Sequence, residues 1–303
     1  MISAIRLPGV LQRQFNATMQ DFLYGQATGP SDFTRPSQEA ALLPPHSVSW
    51  RIFKNPISLF VGGTAAVILE LAEPAVCAGV WEHSSFRKNP LGRLQRTGLA
   101  AMVTVYGARS VAEPMIARVV RLHATVRGKT PAGISYSASD PRLLTWVHAT
   151  AAFGFAEAYN RYVDSLSATE FSGLYREGAP ISQLYGAVQT PMSRDEMQAL
   201  FESTAPNLAP SPVIFEFLRI MRETIAFPRP VRWMQSMLVG AAVELIPGWM
   251  RQRLGLSERF GLRAHERWLT RLAGASADRI VLPASPAVQS CLRLGLPMTY
   301  LYT

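Results

Sequence analysis

Two segments set a histidine inside a strongly apolar helical pattern: RVVRLHATVRG, with His123, and LLTWVHATAAFGF, with His148. An imidazole in such a place has to hydrogen-bond or bind something, because burying it unpaired is costly. A third stretch, NPLGRLQRTGLAAMV (89–103), is followed directly by Thr104. It places Arg93, Arg96, Thr97, Ala100 and Thr104 at offsets of 0, 3, 4, 7 and 11, on one face of a helix. The other side carries Leu94, Leu99, Met102 and Val103. Cations, hydroxyls and an alanine on one face suit either solvent or the lining of a cavity that holds an anionic or polar ligand.

His123 and Arg127 repeat the theme, one turn apart on the helix expected there. The imidazole can give a metal its nitrogen while the guanidinium meets a carboxylate. Haem needs that combination, one axial imidazole for the iron and cations for the propionates. Non-haem iron is the alternative, and would need two histidines and a carboxylate to converge. His123, His148 and Glu177 are the residues for it. There is no CxxCH for covalent haem attachment, no HExxH, no GxSxG, and no GxGxxG after a strand. The other histidines have plainer settings: His46 in the turn-like PPHSV, His83 at a helix end or loop, and His265 on an Arg-rich solvated face.

The elements that must position these groups are helices. Ser110-x-x-Glu113, Ser167-x-x-Glu170 and Ser193-x-x-Glu196 each have the form that satisfies two free backbone donors at a helix start. Ser139, Asp140 and Pro141 open a long apolar run with Leu144, Val147, Ala151 and Phe155 spaced for burial. The pattern predicts helices over 57–72, 75–81, 91–106, 111–127, 141–165, 168–177, 193–205, 211–224, 230–244, 247–254 and 258–273. A thin strand at ISYS (134–137) stays open, and FPRP (227–230) interrupts a helix. The fold class is all-α, a single globular helical domain. Residues 1–54 form an N-terminal extension on the core, 55–260 the main helical domain, and 261–303 a C-terminal helical extension of the same globule.

Composition narrows the partners. Thirty basic against 21 acidic residues give a formal net charge of +9, and all but Lys54, Lys88 and Lys129 of the basic residues are arginines. They are dispersed beside aliphatic residues, without a clean stripe or an aromatic platform, so nucleic acid is not expected as a partner. Cys77 and Cys291 are too few and too far apart for a disulfide scaffold or a thiolate metal site. With an N-terminus, MISAIRLPGVLQRQF, that lacks a leader's apolar core, the expected location is cytoplasmic. The most apolar run, LFVGGTAAVILELAEPAVCAGVW (59–81), contains Glu70, Glu73 and Pro74. It reads as a buried helix that breaks near Pro74 rather than a membrane span. Peripheral membrane contact stays open, including at the Arg-rich region 251–271.

The run LELAEPAVCAGVWEHSSFRKNPLGRLQRTGLAAMVTVYG, then RLHATVRG and GISYSASDPRLLTWVHAT, resembles the helical domain-of-unknown-function 2236 superfamily. That superfamily holds the catalytic domain of MpaB-type and latex-clearing rubber oxygenases. LYREGAPISQLYG, TPMSRDEMQAL and LIPGWMRQRLGL fit it too, and the resemblance covers roughly residues 55–260. It implies an all-helical domain holding haem b, with His123 as the proximal iron ligand, Arg127 four residues on, and Arg93 at the propionates or at the helix junction. It further implies O2 chemistry on an apolar, unsaturated substrate, giving cleaved carbonyl fragments or a hydroxylated product. The branch's Arg-x-x-Lys-Thr run falls on Arg93, Arg96 and Thr97, with arginine in place of lysine. A guanidinium is a poor iron ligand, so the resemblance implies an open or water-occupied distal side. Arg96 then donates hydrogen bonds there to bound oxygen or to substrate, and Thr97 orients a water. His148 lies in or just behind the haem pocket and is the alternative iron ligand to His123. The family's base carboxylate falls near Cys77 by spacing; Glu70, Glu73 and Glu82 are the neighbouring candidates. A non-haem metal oxidoreductase using His123 and His148, and a helical haem or lipid carrier without turnover, are the rival readings.

Overall fold

The structure, a computed structural model, describes residues 4–5, 9, 12–13, 32–225, 227 and 231–302. Most of MISAIRLPGVLQRQF and the Pro-Arg-Pro of the FPRP interruption lie outside the described residues. In chain order, α1 (Val48–Phe53), α2 (Pro56–Ala72) and α3 (Pro74–His83) come first, then α4 (Pro90–Tyr106) and α5 (Arg109–Thr125). A short antiparallel hairpin follows, β1 (Arg127–Lys129) and β2 (Ser135–Ser137), with Gly128 opposite Tyr136. The long α6 (Pro141–Tyr162) leads to α7 (Ala168–Leu184), α8 (Arg194–Thr204) and α9 (Pro212–Glu223). The chain closes with α10 (Met234–Leu245), α11 (Gly248–Arg253), α12 (Ala264–Ala277) and α13 (Pro286–Arg293).

The all-α class holds, and the thin strand at ISYS is β2 of the hairpin. The helix expected over 111–127 starts at Arg109 and stops at Thr125. The one expected over 168–177 runs on to Leu184 with Pro180 inside it, and the one expected over 258–273 opens only at Ala264. Helices α1 and α13 had no counterpart in the sequence pattern.

Local chemistry explains the main elbow. Asn55 accepts from the Ile57 and Ser58 amides with Pro56 in the first turn, which starts α2. Glu73 ends α2 and starts α3: one carboxylate oxygen accepts from the Ala75 and Val76 amides at 2.7 and 2.9 Å. The chain bends 110° there. Arg142, in the first turn of α6, donates two 3.2 Å hydrogen bonds to the other Glu73 oxygen. This ties the elbow to α6.

Helices α2 and α6 form the central pair. Where they cross, glycine faces glycine, and a Cβ on Gly62 would sit 2.7 Å from the Gly154 carbonyl oxygen. The backbones therefore touch, a separation that larger residues would not permit. Trp146 of α6 donates its indole N–H to the Leu69 carbonyl of α2 at 3.1 Å. Around this pair α9, α10 and α12 close the large apolar core, to which α10 contributes seven buried residues. A second, smaller core joins Trp50 of α1, Met102, Val103, Val105 and Tyr106 of α4, Ala112 of α5, and Ala287 and Cys291 of α13. Beside it the buried Arg293 donates to the carbonyls of Phe33 (3.0 Å), Glu39 (2.9 Å) and Tyr106 (2.7 Å).

Among the described residues no single helix is long and apolar enough to cross a membrane; α2 and α3 pass that test only as a pair, bent at the elbow.

Candidate functional site

Helix α4 buries Gly92 and its last turns, Met102–Tyr106, while residues 93–101 stay partly or fully exposed. The polar face read from the sequence therefore runs from solvent to interior. Arg96 and Thr97 are exposed, Arg93 and Ala100 half-buried, and Thr104 buried. Thr97 is committed to its neighbour: its hydroxyl accepts from the Arg93 guanidinium and donates to the Arg93 carbonyl at 2.9 Å. Arg96 donates to the Ser85 hydroxyl at the outer edge.

Arg93 lies between two groups on other helices. On one side is Glu70, near the end of α2, whose carboxyl burial pushes up to about 7, with the Arg93 charge opposing that rise. On the other is His123, in the last turn of α5, held below the ordinary histidine value first by burial and then by the Arg93 charge. The His123 Nδ1 atom is buried and has no hydrogen-bond partner. Next to it, His148 of α6 is pushed down to about 4, mainly by burial and secondarily by His123. Its ring lies 4.9 Å from that of Tyr185, at 47°. The Tyr185 and Thr104 hydroxyl oxygens are 2.9 Å apart, and Thr104 donates to the Ala100 carbonyl at 2.8 Å. Tyr185 is thus the donor of that pair, and it links the His148 ring back to α4.

The fold brings Glu70, Arg93, His123 and His148 together from four helices, with Thr97 and Arg96 on the solvent side. Arg127 is separated from them. The backbone leaves the helical region at Val126 (φ −91°, ψ 110°), so Arg127 opens β1, exposed, rather than sharing a helical face with His123. Glu177 is elsewhere too. Its carboxylate accepts from the Val48 and Ser49 amides at 3.0 Å and from the Ser49 hydroxyl at 2.7 Å, at the start of α1. The three-ligand non-haem site proposed from His123, His148 and Glu177 lacks its carboxylate. Among the described residues no group of three His, Cys, Asp or Glu side chains is gathered to hold a metal ion.

The structure also sorts the acids that sequence spacing left equivalent. Glu73 is taken by the α3 amides and Arg142, Glu82 is exposed on α3 facing Tyr136, and Cys77 lies 3.8 Å from the Ser211 hydroxyl. Glu70 alone of these adjoins Arg93. No signal in the sequence singled it out, because its partner is 23 residues away on another helix.

A metal-bound imidazole must be neutral and must offer an unengaged nitrogen lone pair. His123 meets the first demand through its lowered pKa, and its buried Nδ1 has no competing protein partner. An axial haem ligand needs one such histidine rather than three ligands, so these residues fit haem better than a bare metal ion.

No curated protein and no solved structure matches the chain significantly. Residues 50–277 match the family described as "ER-bound oxygenase mpaB/B'/Rubber oxygenase, catalytic domain". A family described as bound to a membrane overturns the cytoplasmic location expected from two cysteines and an unconvincing leader, neither of which bears on peripheral attachment. With the match running from α1 through α12 and taking in all four clustered residues, the chain belongs to the MpaB and rubber oxygenase catalytic-domain family.

Proposed function

We propose that this protein is a haem b oxygenase acting with O2 on an apolar, unsaturated substrate. The observation that carries the reading is His123: a neutral, half-buried imidazole with an unpartnered buried nitrogen, set between a guanidinium and a second neutral imidazole. Haem, when bound, supplies the one-electron and O2 chemistry that protein side chains lack.

His123 would hold the cofactor from the end of α5. Arg93 rather than Arg127 is the cation beside it, and the bond that its guanidinium donates to the Thr97 hydroxyl fixes how it is presented. Arg96, tethered to Ser85 at the solvent edge, offers donors to whatever polar group reaches the mouth. His148 stays neutral through the physiological range and lines the interior wall, its ring oriented by Tyr185. Glu70, poised near neutrality, can accept a proton from a substrate carbon and is the acid–base residue of this reading. The arginine at position 96 leaves cleavage and hydroxylation both open as outcomes.

The test is an absorption spectrum of protein produced with ample iron and haem precursor, repeated with His123→Ala. A Soret band that disappears in H123A is the expected result. Retention in H123A with loss in His148→Ala would transfer the ligand role, and a flat haem titration would sink the cofactor reading. A carrier without turnover is the second reading, favoured by the guanidinium where the rubber enzymes have an amine. Alkene-stimulated oxygen uptake, lost in Glu70→Gln with haem content unchanged, separates the enzyme from the carrier.

A further inference from the structure

Helix α5 is covered thinly. Only Ala112 and Ile116 of its seventeen residues are buried. Its last two turns and the hairpin after it gather an unusual set of exposed side chains. Leu122 is 59% exposed and Ile134, at the hairpin tip, 66%. Such values are high for aliphatic residues. Around them Arg118, Arg121, Arg127 and Lys129 are all exposed. None of the four is in an ion pair among the described residues; the pair on this helix, Arg109–Glu113, lies at its other end, at 3.4 Å.

The tip that carries Ile134 is built rather than frayed. Thr130 and Ile134 exchange one backbone bond and one side-chain bond: the Thr130 amide donates to the Ile134 carbonyl at 2.8 Å, and the Ile134 amide to the Thr130 hydroxyl at 3.2 Å. Gly133 closes the turn at φ +81°, where other residues would be strained. Tyr136 turns inward opposite Gly128, so Arg127 and Lys129 share the outward side of the hairpin. Two exposed aliphatic side chains, one on the helix and one on an ordered turn, therefore share the stretch 118–134 with four exposed cations that have no ion-pair partner among the described residues.

We infer that the end of α5 and the hairpin form a docking face for the surface of a bilayer carrying acidic headgroups. Charge complementarity selects this occupant together with the aliphatic pair. An acidic polymer would meet the cations and leave Leu122 and Ile134 in water. An apolar protein groove would take the two aliphatics and bury the cations unpaired. An acidic lipid surface satisfies both, with the side chains in the acyl boundary and the guanidinium groups at the phosphates. Leu122 and His123 are consecutive, one facing outward and the other toward the site. The docking face thus borders the histidine cluster. That an apolar substrate passes from bilayer to pocket there rests on the oxygenase reading; the docking itself does not.

The test is co-sedimentation of the full chain with vesicles of phosphatidylcholine alone and with about 30% phosphatidylserine, near physiological salt. Wild-type protein should partition at least about tenfold more strongly onto the acidic vesicles. Arg118→Gln with Arg121→Gln should cost about tenfold or more of that binding. Leu122→Ser with Ile134→Ser should cost a similar factor. All four positions are exposed, and melting curves establish that the variants fold. Unchanged partition in both double variants overturns the proposal. So does loss confined to Trp268→Ser with Leu272→Ser, the exposed pair on α12, or capture by heparin without vesicle binding. Haem content of the same preparations is read separately, so a cofactor-free protein that still binds vesicles would overturn only the cofactor reading.

Discussion

The α2–α6 pair and the α4–α5 pair each contribute two of the four clustered residues, yet they are built by opposite rules. Helices α2 and α6 touch backbone to backbone at Gly62 and Gly154, start on side-chain caps from Asn55 and Asp140, and bury most of their residues. Helices α4 and α5 bury only the end of one and two residues of the other. Glu70 and His148 sit on the tight pair, where burial moves both of them far toward neutrality. Arg93 and His123 sit on the loose pair, which is thinly covered. The cluster lies at the seam of a tightly packed wall and a thinly packed cover.

The contrast can be broken at its firmest point. Gly154→Ala puts a methyl group against the Gly62 carbonyl and forces the two helices apart. We expect a loss of about 3 kcal/mol, seen as a melting temperature lower by about 5–10 °C. An unaltered melt would mean that the crossing is not in contact.

Glu70→Gln probes the same wall by charge. The folded carboxyl titrates near 7 against an unfolded value of 4.5. Between those values the folded state holds more protons, so this group's stabilising contribution is present below about pH 4.5 and is lost as pH rises through 7. E70Q should therefore be more stable than wild type above pH 7, by on the order of 2 kcal/mol, with little difference at pH 5. A variant that is equally destabilised at both pH values would contradict the assignment.

His148 gives the opposite slope. Its folded value near 4 lies below the ordinary 6.5, so the unfolded chain binds the proton first and stability falls as pH drops from 6.5 to 4. His148→Gln should flatten the acid side of the stability profile, again by roughly 2 kcal/mol at pH 4. Denaturant melts across that range decide it.

The smallest effect belongs to the loose pair. A Cβ at Gly98 of α4 meets nothing within 4 Å. Gly98→Ala should stabilise the apo protein by about 0.5–1 kcal/mol through helix propensity alone. If it destabilises as Gly154→Ala does, the two helix pairs are not packed differently and the comparison fails.

Much of the fold could be read from caps and apolar spacing. Ser167 and Glu170 form the full reciprocal box. Ser193 caps α8 by accepting from the Glu196 amide, while Glu196 accepts from Met192 instead. Ser110 and Glu113 do not cap at all: α5 begins one residue before Ser110, which bonds Glu39 across the chain. Helices α1 and α13 are six and eight residues long, too short for a periodic pattern to stand out. His123 and His148 were legible because an imidazole in an apolar helix needs a reason. Glu70 was not, since Glu70, Glu73 and Glu82 look alike until their partners are known. Arg127 was misplaced because nothing in ATVRGK announces that the helix ends before it.

Arg293 has a consequence for synthesis. It meets Glu39 and Phe33 across 254 and 260 residues of sequence. Those carbonyls leave the ribosome long before the guanidinium that receives their lone pairs, and at ordinary translation rates the wait is tens of seconds or so. For that interval the segment around Phe33 is without its buried partner and open to chaperone or protease. The domain closes only when its last helix returns to its beginning.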